Sequence, residues 1–113
     1  MHKLESIADQ IRRNFDARTT ARDQALAQAR QLTRACSLAI RAVHRDDIEA
    51  MQAQLLEAQS LADTLRSSLT AYPDLFHAGY TQDALKEFVE ANVTCALIKS
   101  QPLPTPEELG VEP

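Results

Sequence analysis

Glu87 and Glu90 are the residues of this chain whose type and spacing suit chemistry best. At i and i+3 on a helix, two carboxylates are neighbours and can grip one cation together. Hard divalent ions such as magnesium or manganese take oxygen ligands of this kind. The pair lies in residues 81–101, TQDALKEFVEANVTCALIKSQ. Turned at about 100° per residue, this stretch is apolar on nearly every side. Asp83, Glu87, Glu90 and Thr94 form one polar stripe within an arc of roughly 60°. A helix apolar all round is normally buried, and carboxylates buried with it need a counter-charge. Besides the water of a cleft, two counter-charges are open: a metal ion, or arginines of the chain itself, with Arg18 and Arg22 the nearest candidates in pattern.

The elements that must carry this pair are helical. The chain has 113 residues, two glycines and 4% aromatic residues, and is rich in Ala, Leu, Gln, Arg and Glu, all good helix formers. Leu4, Ala8, Ile11 and Phe15, then Ala25, Ala29, Leu32, Cys36, Ala39 and Val43, recur at spacings of four and three, a heptad seam. Arg18 and Arg22 fall on the same seam and interrupt it. With no proline or glycine before Pro73, one helix is expected over residues 4–43. Asp46 or Asp47 caps a second over residues 47–71, with its seam at Ile48, Met51, Leu55, Ala58, Ala62, Leu65, Leu69 and Tyr72. Pro73 ends it. A third is expected over residues 81–101 with Thr81 as cap, and Thr105-Pro106-Glu107-Glu108 starts a short one over residues 105–109. A short turn between long helices packs them antiparallel. The expectation is one all-α domain over residues 1–113, an antiparallel bundle of long helices.

Charge is divided along the chain. Residues 1–45 hold nine Lys/Arg against four Asp/Glu, a net +5, and residues 46–113 hold three against twelve, a net −9. Such a division suits a polyanion on one side and a cation on the other, or the packing of one part on the other. Cys36 and Cys95 sit at apolar positions without CxxC spacing and read as buried thiols, in keeping with a reducing compartment. No apolar run of about 18 residues and no signal-peptide pattern is present, so a cytoplasmic chain without a membrane partner is expected. No Cys/His set has zinc spacing, and no glycine-rich phosphate loop exists.

KEFVEA with the following IKSQPL, together with Phe15-Asp16-Ala17-Arg18, Arg30, Val43-His44-Arg45 and the closing PTPEELGV, resembles the translin/Trax family, its Trax-like branch in particular. The resemblance covers nearly the whole chain and corresponds to the N-terminal half of the family fold. It implies an all-helical subunit of a closed oligomer, homo-oligomeric or paired with a translin-like subunit, that binds RNA and single-stranded DNA. It also implies a magnesium- or manganese-dependent endoribonuclease site in which Glu87 and Glu90, matching the family's E-[YF]-V-E motif, are catalytic metal ligands. Arg18, Arg30 and Arg45 become candidate nucleic-acid contacts. Structural roles compete with these: Arg18 holding the acidic helix, Arg30 on a solvated face, and Arg45 ending a helix where cations suit the dipole. The family completes its site with an Asp and a Glu in a later D-x-x-G-E pattern that this chain lacks, so the chain is expected to be incomplete relative to the family fold. A non-catalytic oligomerisation or scaffold module is the alternative reading.

Overall fold

Alanine sets how closely the helices of this protein approach. The computed structural model describes residues 2–100 and 102–112. They form α1 (His2–His44), α2 (Ile48–Ser68), α3 (Pro73–Phe76), α4 (Gly79–Ile98) and α5 (Pro106–Leu109), with no strand among them. The second half of α1, α2 and α4 pack as an up-down-up bundle. Ser68 Oγ at the end of α2 donates to Gln28 Oε1 of α1, so α2 runs antiparallel to α1. Cys95 Sγ near the end of α4 points its hydrogen at the Ala39 carbonyl, so α4 runs parallel to α1. Ala25, Ala29, Ala35, Ala58, Ala62, Ala84 and Ala91 are buried around Leu32, Leu65, Leu69 and Phe88. Small side chains at the crossings let the larger ones interdigitate.

Local chemistry sets the corners. The Asp47 carboxylate accepts from the Ala50 N–H at 3.2 Å and caps α2, while Asp46 takes the left-handed conformation at φ 61° and receives Lys99 Nζ at 3.0 Å. The Thr105 hydroxyl accepts from the Glu108 N–H and caps α5. Three expected boundaries shift. The second helix stops at Ser68 rather than residue 71, and residues 69–71 form a turn ahead of Pro73. The third long helix starts at Gly79, with Ala78 as its N-cap residue. Thr81 is therefore not a cap: it is buried inside the first turn, and its hydroxyl donates to the Leu75 carbonyl at 2.8 Å, tying α3 to α4. The same helix ends at Ile98, with Lys99 and Ser100 in a turn, rather than at residue 101; Gln101 itself lies outside the described residues.

The heptad seam of α1 divides into two parts. From Ala25 onward it is the core. From residue 2 to residue 20 every described residue is exposed, including Leu4, Ile7, Ile11 and Phe15. A 43-residue α1 is about 65 Å long at 1.5 Å per residue, whereas the helices beside it have 21 and 20 residues. The excess projects from the bundle and stretches the molecule to 68 × 25 × 18 Å.

Candidate functional site

Glu87 is half-buried on α4 and faces α1, and Glu90, one turn on, is exposed. Glu87 lines a groove of about 520 Å³ between the two helices, with Leu26, Ala29 and Ala84 as apolar floor and Arg30, Thr33, Tyr80 and Asp83 around it. Asp83, one turn before Glu87, joins it there. The Tyr80 hydroxyl is buried without a hydrogen-bond partner among the described residues. Cys36 is buried in the main core, and its thiol is pushed up to about 12, first by burial and then by the negative charge of Glu87. Burial also raises the Cys95 thiol. Both cysteines are free and buried, as the sequence predicts.

The structure corrects the expected counter-charge of the pair. Arg18 does not reach Glu87 or Glu90: its guanidinium forms a two-pronged ion pair with Asp74 of α3. Arg18 sits nearly two turns before the bundle begins in earnest, level with the α3 corner, whereas Glu87 packs further along α1. Arg22 is exposed and makes no ion pair among the described residues. Neither glutamate is paired with any cation of the chain there. The helix bearing them is also less buried than its composition suggests, since Leu97 and Ile98 at its end are exposed.

The candidate nucleic-acid residues separate. Arg18 is engaged with Asp74, and Arg45 sits 3.5 Å from Asp47 with both side chains about half exposed. Arg30 stands at the rim of the Glu87 groove without an ion-pair partner among the described residues. Two arginines that the seam pattern passes over join it. Arg34 and Arg41 are exposed, and with Arg30 they follow spacings of four and seven, a single stripe within about 40° of arc on the side of α1 opposite its core; Arg45 lies in the turn just past the end of α1. No ion pair involves Arg34 or Arg41 among the described residues. The signal was present in the sequence as a second periodicity out of phase with the apolar one. From Arg30 to Arg41 the stripe runs about 17 Å along the helix at 1.5 Å per residue.

Comparison with family models, with curated proteins and with solved structures finds no match. No group of three or more His, Cys, Asp or Glu side chains is placed to hold a metal ion among the described residues. No helix there is long and apolar enough to cross a membrane.

Proposed function

We propose that this chain binds single-stranded RNA or DNA along the outward face of α1, as a translin-like protein. The observation that carries this reading is the stripe of Arg30, Arg34 and Arg41, free of acidic partners among the described residues and continued by Arg45. Guanidinium groups held in no ion pair are available to phosphates, and each contact releases a condensed counterion. Arg30 is where this stripe meets the groove that holds Glu87. A strand lying on the stripe brings its phosphates to the rim of the acidic groove.

Glu87 in the groove and Glu90, exposed one turn on, would hold a magnesium or manganese ion, which would supply charge neutralisation at a scissile phosphate and an activated water. The chain's own part is to fix the two carboxylates one turn apart on a packed helix and to hold the strand with Arg30. RNA cleavage follows only where further ligands complete the shell, from a second copy or a translin-like subunit; without them the chain binds and does not cut. The bare apolar stripe at Leu4, Ile7, Ile11 and Phe15 supports the second reading, an assembly module, which is compatible with the first.

The test is cleavage and binding of a labelled single-stranded RNA in magnesium, in manganese and in EDTA, with Glu87→Gln/Glu90→Gln alongside. The proposal expects manganese binding and any metal-dependent cutting to vanish in the double variant while the melting temperature holds, since neither glutamate neutralises a buried cation. A variant that melts well below the parent chain and binds manganese as before would remove the metal site. Absence of RNA binding in the parent chain at low salt would leave the assembly reading alone.

A further inference from the structure

The geometry points to the projecting arm of α1 as an antiparallel docking surface for the same arm of a second copy of this chain. Residues 2–20 touch nothing that buries them, yet they continue the seam that forms the core further along α1. Leu4, Ile7, Ile11 and Phe15 are 51–67% exposed, aligned along one side of a helix. A helix of this length is marginal alone in water and is normally held by packing of its apolar face. Nothing in the described chain reaches it. The end of α2 lies level with Gln28, the start of α4 borders Leu26 and Ala29, and the Arg18–Asp74 ion pair is the outermost contact with the bundle.

Two properties of the arm select its own copy, and select direction. The first is the seam itself. Laid antiparallel, Leu4 stands opposite Phe15 of the second copy and Ala8 opposite its Ile11, and the two-fold axis repeats both layers, so that every layer is apolar and large faces large or small faces large. The second is the order of charge on the flank of the seam. Glu5 and Arg12 follow Leu4 and Ile11 by one residue and occupy the same flank, two turns apart. Two turns are too far for them to meet within one helix, and Arg12 has only a long, exposed contact with Asp9 at 3.6 Å. Antiparallel pairing brings Glu5 of each copy beside Arg12 of the other, twice. Parallel pairing in register places Glu5 and Arg12 of the two copies on opposite flanks of the seam, so that neither charge finds its complement.

The area is what a weak, specific dimer requires. Eight large apolar side chains from two arms, with the stems of the flanking charges, approach the roughly 1,000 Å² of total buried surface at which biological interfaces begin. Dimerisation is therefore concentration-dependent. The arm and the Arg30–Arg41 stripe lie on different stretches of α1, so pairing leaves the stripe open to a nucleic acid, and the two proposals fail independently.

Sedimentation equilibrium of the full chain over a range of concentrations tests this, with helicity checked by circular dichroism. The expected result is a shift from the 12.5 kDa monomer to twice that mass, abolished by Ile11→Asp/Phe15→Asp, whose sites contact nothing in the bundle. Glu5→Arg and Arg12→Glu should each weaken the dimer several-fold, and the two together should restore it. For direction, the Leu4→Cys/Phe15→Cys variant should form a covalent dimer on mild oxidation, and Leu4→Cys alone should not. A monomer at every concentration, a dimer that survives Ile11→Asp/Phe15→Asp, failure of the charge swap to restore association, or ready cross-linking of Leu4→Cys alone would each overturn the proposal.

Discussion

At the scale of single residues, Glu87 shapes its surroundings in two directions. Outward it lines the groove with Arg30 and Asp83; inward its charge adds to burial in raising the Cys36 thiol to about 12 from 9.0. An inert thiol follows. Cys36 should ignore thiol reagents near neutral pH in the folded protein and react at once in denaturant, and a fast reaction under native conditions would contradict the packing. The raised value also sets a stability window. The folded chain holds the thiol proton more tightly than the unfolded chain, so the contribution is complete below pH 9 and is lost as pH rises from 9 toward 12. Denaturant midpoints measured across that range should fall more steeply for the parent chain than for Cys36→Ala.

At the scale of elements, stability depends on the contact between α4 and the rest and on the segment that closes over it. Phe88 is fully buried at the centre of the main core. Phe88→Ala should cost about 3–5 kcal/mol, the usual loss for deleting a buried ring, read as a lower urea midpoint; a loss under about 1 kcal/mol would mean that α4 is not packed as described. The closing segment is held by Leu109, which is buried, and by Gly110, which ends α5 in the left-handed conformation at φ 68°. A Cβ on Gly110 would stand 3.0 Å from Arg66 Nη2, on a guanidinium already bound to Asp63 at 2.6 Å. Gly110→Ala should therefore destabilise by about 1–2 kcal/mol through backbone strain, and the crowding of Arg66 should add faster hydrogen exchange at Leu109 and Val111.

At the scale of the whole molecule, the division of charge becomes spatial rather than merely sequential. The basic stripe of α1 faces away from the bundle, and the acidic groove lies along one side of the same helix. For nucleic-acid binding, Arg30→Ala/Arg34→Ala/Arg41→Ala should reduce the slope of log K against log salt by about 2, at roughly 0.7 per phosphate for single strands. Binding should weaken alike for unrelated sequences, since phosphate contacts carry no base information. An unchanged slope would place the strand elsewhere.

Much of the fold could be read from periodicity alone. Apolar spacings of three and four mark the long helices, Asp47 and Thr105 mark caps by their hydroxyl or carboxylate chemistry, and Pro73 marks a corner, because each of these depends on neighbours in the chain. The start of α4 departs from the local pattern for a physical reason: Thr81 has the type of a cap, but its hydroxyl finds a carbonyl across the α3 corner, a partner outside that pattern. The position of Glu87 and Glu90 on one helical face was legible from their spacing. Their lack of an arginine partner was not, because Arg18 is drawn to Asp74 by the path of the chain through α3. The seam of α1 is uniform as a pattern from Leu4 to Val43, and its sequence determined a single long helix. Only the tertiary structure decided that one half of that seam is core and the other half bare, since the lengths of α2 and α4, and the level at which each meets α1, set where burial stops.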